Sequence, residues 1–380
     1  MQKSELNQNN NPKNIYIHIP FCKSKCHYCN FISFPKKDEI TEPYFSALKQ
    51  EIKFYLNKYP DIKPETVYIG GGTPSVVDFN YYRDLFNVLS DLTGLNKNTE
   101  ITMEINPGTV DLNYLKNIKS LGINRLSIGV QSFDNKILKL INRIHSAEEA
   151  INTVKTAQTA GFNNISIDLI YGLPGQTPEN WENTLNKALS LEINHISTYG
   201  LKIEENTEFF LNPPPNLPDE DMQSEIYLKT IEILEHNRFM QYEISNFAKP
   251  GFKSKHNLCY WKNQEYFGLG LSAHGYLDGI RYSNTENLED YIKNPTKPAT
   301  ENKVSEKEKI EEAVFLGLRL TAGINTEEFK IKYNFDIYNK YKNIIEKYTG
   351  YDFMTYENNN LKLTRKGILL SNSILADFLD

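Results

Sequence analysis

The run Asn14–Phe31, NIYIHIPFCKSKCHYCNF, decides how the chain is read. Its first part, Ile15–Ile19 (IYIHI), is short, apolar and β-branched, the composition of a buried strand. It runs directly into Cys22, Cys26 and Cys29, three thiols within eight residues. A strand that delivers reactive side chains at its C-terminal end is the arrangement of a parallel α/β barrel, whose sites form at that end.

Five more runs of the same kind follow: Thr66–Ile69 (TVYI), Glu100–Ile105 (EITMEI), Arg125–Val130 (RLSIGV), Asn164–Ile170 (NISIDLI) and Asn194–Gly200 (NHISTYG). Their ends fall mostly about 30–40 residues apart, the length of a strand plus a crossover helix, with a longer first interval and a shorter third. Helical patterns fill the gaps at residues 43–57, 80–92, 111–120, 147–160, 178–190 and 219–236. In the first, Tyr44, Phe45, Leu48, Ile52 and Tyr55 recur at three- and four-residue steps, with Pro43 in the first turn. Six such units predict an α/β fold, a partial (β/α)6 barrel open on one side, because a closed eight-stranded barrel takes about 250 residues. A doubly wound open sheet is the competing architecture.

The Pro-rich stretch Asn212–Pro218 interrupts the rhythm as a loop. The chain then divides into a tail (1–12), the barrel core (13–235), a β-rich extension (236–300) and a C-terminal region (301–380), with a linker near Asn294–Pro298. In the last region three helical patterns precede a hairpin with Glu357–Asn360 at its turn and a final helix over 366–378, which resembles a winged-helix module. Residues 301–380 carry no basic stripe, so a covering role is expected there rather than DNA binding.

Composition narrows the function classes. The 380 residues are 39% hydrophobic and 24% charged, a globular balance, and a chain of this length buries about 75% of its unfolded surface. No eighteen-residue apolar run exists for a transmembrane segment. The formal charge of 42 minus 48, or −6, gives no general attraction to nucleic acid. Met1–Pro12 has no apolar signal core and no Arg precedes Arg83, so the expected location is cytoplasmic. Four cysteines are too few for a disulfide scaffold.

The other strand ends are equally unusual. GGGTP (Gly70–Pro74) ends the second; Glu104, Asn106 and Pro107 end the third; Gln131 ends the fourth; Asp168, Tyr171 and Gly172 end the fifth; Tyr199 and Gly200 end the sixth. Three thiolates on one short loop suit a [4Fe–4S] cluster with one iron left open, or a structural zinc with His27 as a fourth ligand. The Cβ-free triplet lets a ligand reach bare N–H donors, suiting the carboxylate or amine of an amino-acid moiety, or it forms a plain tight turn. Glu104 and Asp168 suit a ribose or an ammonium, or else cap a helix. Arg143, in NRIH, faces a carboxylate or ends a helix in solvent.

Together, YIHIPFCKSKCHYC with its C-x3-C-x2-C spacing, GGGTP, EINP, GVQSF and DLIYGLPGQT resemble the radical S-adenosylmethionine (radical SAM) proteins, and more narrowly their oxygen-independent coproporphyrinogen III oxidase branch. The likeness runs from about Tyr16 to the C-terminus. It implies that Cys22, Cys26 and Cys29 hold a [4Fe–4S] cluster whose open iron chelates S-adenosyl-L-methionine (SAM). It implies further that Tyr16, Tyr28, Gly71, Gly72, Thr73, Glu104, Gln131, Arg143 and Asp168 contact that cofactor, with Gly200 a weaker match. A flavodoxin or ferredoxin would serve as electron donor.

Two departures refine the resemblance. The oxidases carry a fourth cysteine two residues past the third, and here that position is Phe31. The string His256-Asn257-Leu258-Cys259-Tyr260-Trp261 instead resembles the H-N-x-x-Y-W motif of the haem chaperone (HemW) subfamily, relatives of the oxidase that bind haem. His256 is then the expected haem ligand, since a neutral imidazole is a common axial donor. Cys259 is read as a buried, inert thiol, His18 as structural, and His274 as lying near the barrel mouth. The expected function is haem binding and transfer to an acceptor protein. The alternatives are the oxidase itself and a zinc protein with a binding module.

Overall fold

The structure is a computed structural model describing residues 12–35, 38–60 and 62–379; the expected tail lies almost wholly outside them. Six parallel strands form its centre: β1 (Asn14–Ile19), β2 (Thr66–Gly71), β3 (Glu100–Ile105), β4 (Arg125–Gln131), β5 (Asn164–Tyr171) and β6 (His195–Gly200). Each pairs with the next in register order, for example Tyr16 with Tyr68 and Thr102 with Arg125.

Helices connect them: α1 (Asp38–Leu56), α2 (Phe79–Leu92), α3 (Leu112–Ser120), α4 (Ala147–Thr159) and α5 (Pro178–Leu189), with α6 (Glu220–His236) after β6. Their starts are set locally. Asp78, Asp111, Ser146, Thr177 and Asp219 each accept a backbone N–H of the first turn, and Ser146 with Glu149 completes a capping box. Helix α1 begins five residues before the expected Pro43. That proline lies inside the helix, one turn after Glu39, whose carbonyl it cannot serve.

Alternation along the strands separates a partial barrel from a doubly wound sheet. On β4, Leu126, Ile128 and Val130 are buried in the apolar layer beneath the helices, while Arg125, Ser127, Gly129 and Gln131 line a cavity. The same polar-inward pattern places Tyr16, Tyr68, Glu104, Asp168 and Ser197 around that cavity. A sheet packed by helices on both faces would be apolar on both; this one curls around a polar interior.

The expected β-rich extension is not a separate layer. Its strand β7 (Met240–Glu243) pairs antiparallel with β8 (Asn246–Ala248), which adds antiparallel beside β6, and β9 (Phe267–Leu269) adds parallel beside β1. The order β9-β1-β2-β3-β4-β5-β6-β8-β7 leaves the barrel unclosed. The HNLCYW string forms a short helix, α7 (Lys255–Trp261), capped by Ser254.

A small antiparallel sheet pairs Ile280–Ser283 with His274–Leu277 on one side and Thr300–Lys303 on the other. The boundary expected at 301 therefore falls inside a strand, whose ladder ties it to the preceding segment. His274 is exposed on this sheet and is not among the cavity residues, which corrects its expected place at the barrel mouth.

Beyond Val304 the chain builds its own core from Val314, Leu318, Ile337, Ile345, Leu361 and Leu375. It holds helix α8 (Glu306–Gly317), further helices at Thr326–Tyr333 and Lys342–Gly350, and the hairpin Met354–Glu357/Asn360–Leu363, whose second strand also pairs with Ile324–Asn325. The single helix expected over 366–378 is two short ones, Arg365–Leu369 and Ser371–Ala376, separated by Leu370. This unit is pinned to the core beside α7. Arg319 lies 5.1 Å from the Trp261 ring centroid, and Arg281 makes a bidentate pair with Glu312.

Candidate functional site

One cavity of about 610 Å³ runs through the barrel interior. Its wall includes Cys22, Cys26 and Cys29 together with Tyr16, Tyr28, Gly71, Gly72, Thr73, Glu104, Gln131, Arg143, Asp168, Gly200 and His256. Every site residue read from the sequence is thus in one place.

The three cysteines are free and half-buried, on the loop after β1. Thr73 lies 3.3 Å from Cys22 Sγ, and Arg143 donates to Cys26 Sγ at 3.4 Å. Burial pushes the thiols of Cys22 and Cys29 up from the usual range. Among the described residues no three His, Cys, Asp or Glu side chains are drawn together at metal-holding distances. The donor set nevertheless fits an iron–sulfur cluster: three unpaired thiols facing one cavity, with an arginine beside them to offset thiolate charge. His27, the fourth ligand of the zinc alternative, is not among the residues that line the cavity with the thiols. Its Nδ1 is bonded to the Leu140 carbonyl at 3.0 Å, and its ring packs near Phe209. Phe31 sits at the cavity wall, 55% exposed, and offers no sulfur.

The glycine turn works differently from the expectation of bare donors. The Gly71 N–H donates to Glu104 Oε2 at 3.1 Å, that of Gly72 to the Ile19 carbonyl, and that of Thr73 to the Phe21 carbonyl. The N–H groups are spent on holding the turn. All three glycines are required by space, and at Gly72 a Cβ would sit 2.8 Å from the Phe21 carbonyl oxygen. At Gly71, φ is +109° and a Cβ would sit 2.5 Å from the His18 ring, while at Gly70 it would sit 2.8 Å from Glu104 Oε1.

Glu104 also accepts from the Tyr68 hydroxyl at 2.7 Å, and burial raises its carboxyl pKa to about 7. Asp168 accepts from Ser127 at 3.0 and 3.2 Å and is likewise raised by burial. Gln131 has φ of 65° at a bulge between β4 and β5. This re-aims its side chain and marks a strained position at the cavity. Arg143 is held by Asn106 Oδ1 at 2.9 Å and by the Gly129 carbonyl. Asn106 in turn donates to Thr73 at 2.8 Å. Sequence reading gave neither Asn106 nor Tyr68 a role. The signal was the period-two alternation that turns both toward the interior.

Helix α7 brings His256 to the far side of the cavity, 2% exposed. Thr66 donates its proton to Asn14 Oδ1 at 2.9 Å, so its oxygen accepts from His256 Nδ1–H at 2.7 Å. That assigns the tautomer: Nε2 is unprotonated and accepts from the Tyr260 hydroxyl at 2.8 Å. Burial lowers the imidazole pKa to about 3, and the ring stacks 5.0 Å from Tyr68. Both nitrogens are therefore engaged, and neither is open to iron in this arrangement. Cys259 is buried, its thiol raised well above the usual range by desolvation.

The radical SAM superfamily pattern matches residues 16–188, and the HemN C-terminal domain pattern matches residues 304–370. The chain is 37% identical to the heme chaperone HemW of Lactococcus lactis, over 97% of both chains. It is 36% identical to that of Bacillus subtilis, over 97% of this chain and 99% of the other. With the Escherichia coli HemW it shares 39% identity over 70% of each. The radical SAM enzyme coproporphyrinogen III oxidase (HemN) of Escherichia coli superposes with a TM-score of 0.86 over 97% of this chain and 91% of the other, at 22% identity, a likeness of fold.

Proposed function

The chain belongs to the haem chaperone (HemW) family of radical SAM proteins, and from that premise we propose that it binds haem, a [4Fe–4S] cluster and SAM and passes haem to an acceptor protein. The observation that carries this reading is the single cavity, with the three thiols on one part of its wall and the HNLCYW helix on another.

In this reading Cys22, Cys26 and Cys29 hold the cluster, and Arg143, fixed by Asn106, balances its thiolate charge. The cluster they would hold would supply one-electron reducing chemistry to the sulfonium of SAM. With the Gly71–Thr73 N–H groups spent, the carbonyls of that turn and the Glu104 carboxylate receive the SAM ammonium. Asp168 faces the ribose, and Tyr16, Tyr28, Gln131 and Gly200 complete the wall. His256 reaches iron only after the Tyr260 hydroxyl leaves Nε2. A flavodoxin or ferredoxin is the electron donor, and four free thiols suit a reducing cytoplasm. Among the described residues no helix is long and apolar enough to cross a membrane.

Phe31, in place of a fourth cysteine, separates this reading from the oxidase. Cluster-loaded protein supplied with haem is expected to retain it through gel filtration, and with reductant, SAM and coproporphyrinogen III to form no protoporphyrinogen. Turnover without haem retention would overturn the proposal in favour of the oxidase.

A further inference from the structure

Arg125 is a buried cation without a partner. It opens β4, is 2% exposed and lines the cavity. Its Nε has no acceptor, and among the described residues its side chain makes no hydrogen bond and no ion pair. The carboxylates whose charge reaches it, Glu104 and Asp168, are committed to Tyr68, Gly71 and Ser127. The histidines that sense it, His195 and His256, are held neutral by burial and bonded to Ser166, Tyr242, Thr66 and Tyr260. A buried charge is costly unless paired, and here no neighbour pairs it.

A second orphan lies beside it. Thr102 stands opposite Arg125 on β3, and its buried Oγ1 has no partner. An unmet hydroxyl on the strand beside an unpaired guanidinium suits an oxyanion, and the guanidinium fork matches a carboxylate.

We infer that this inner end of the cavity binds a ligand carboxylate, with Arg125 as the recognising cation. Arg125 and Gln131 are six residues apart on one strand, about 20 Å. A SAM molecule whose methionine end sits at the cysteine loop therefore leaves Arg125 to a second carboxylate, and a haem propionate is the source favoured. That source rests on the haem-carrying reading; the carboxylate site itself does not.

The test compares haem with haem dimethyl ester, whose propionates are neutral, on cluster-loaded wild-type protein, R125Q and R125K, with SAM affinity measured in parallel. Wild type is expected to bind haem about tenfold or more tighter than the diester. R125Q should bind the two alike, and R125K should keep part of the preference. If SAM affinity falls in R125Q while the haem-to-diester ratio is unchanged, the carboxylate is that of SAM. If neither quantity moves in variants of native cluster content, the inference is overturned. If wild type prefers neither haem form and R125Q does not fold, unchanged SAM affinity in R125K overturns it as well. Failure of wild type to bind haem or its diester at all counts against the haem reading instead and leaves the SAM arm to decide this one.

Discussion

The Tyr260 hydroxyl donates to His256 Nε2 at 2.8 Å, and the opposite nitrogen of the same ring donates to Thr66 at 2.7 Å. The residue expected to meet haem iron is thus latched on both sides. One helical turn separates His256 from Tyr260 on α7, so the latch is built into the H-N-x-x-Y-W spacing itself.

Removing the latch and removing the ligand have opposite consequences. Tyr260→Phe frees Nε2 and is expected to bind haem at least as tightly as wild type, whereas His256→Ala is expected to lose about tenfold or more. Haem titration of both variants checks this. Equal loss in both would mean that Tyr260 itself holds the haem. His256→Ala also removes the acceptor of the Tyr260 hydroxyl and should lower stability by about 1–3 kcal/mol.

The Glu104 carboxyl titrates near 7 in the folded protein because of burial. A raised carboxyl pKa means that its charge appears only as pH climbs through that value. SAM affinity is therefore expected to rise between pH 6 and 8, by about tenfold at most. Calorimetric titration across that range should show the slope in wild type and a weaker, flat profile in Glu104→Gln. A wild-type profile as flat as that of the variant would remove Glu104 from the binding of the ligand cation.

Stability carries a separate pH signature at Glu51, which is fully buried on α1. It accepts from Gly270 N at 2.7 Å, Tyr291 at 2.6 Å and Asn284 at 2.6 Å. Burial raises its pKa to about 7. The folded state therefore binds the proton more tightly than the unfolded chain, and stability falls as pH rises from about 4.5 to 7. Glu51→Gln lacks that slope. The urea midpoint of wild type should exceed that of the variant most at pH 5, and the gap should shrink by about 1–3 kcal/mol by pH 8. A widening gap would show that Glu51 stays ionised and stabilising.

Gly71→Ala combines a left-handed backbone with a Cβ 2.5 Å from the His18 ring. It is expected to cost about 1–3 kcal/mol and to weaken SAM binding. Thermal melts and SAM titration should move together. An unchanged melting temperature would show that the turn relaxes freely.

Much of this was legible in the sequence. Strand ends and helix starts were readable because apolar residues such as Ile15, Ile17, Val67 and Ile69 alternate with interior ones, and because capping side chains such as Asp78 and Ser146 stand where the helices begin. Most site residues were legible because they sit at or near a strand end or on the loop beyond it, whereas His256, on α7, was legible only through the H-N-x-x-Y-W string. What was not legible needed three dimensions. The partners of His256 come from β2 and from its own helix. The Gly71 N–H turned out to belong to Glu104 on the neighbouring strand. The edge strands β7 to β9 are three or four residues long, too short for periodicity to say which sheet they join.

The most direct test of the central claim is an absorbance titration of anaerobically cluster-loaded protein with haem, with iron and sulfide measured on the same sample. The account expects saturation at a single haem per chain on a protein that carries four cluster irons, the content of a [4Fe–4S] centre, and release of that haem to a haem-free acceptor. A fully loaded cluster with no saturable haem binding would contradict it.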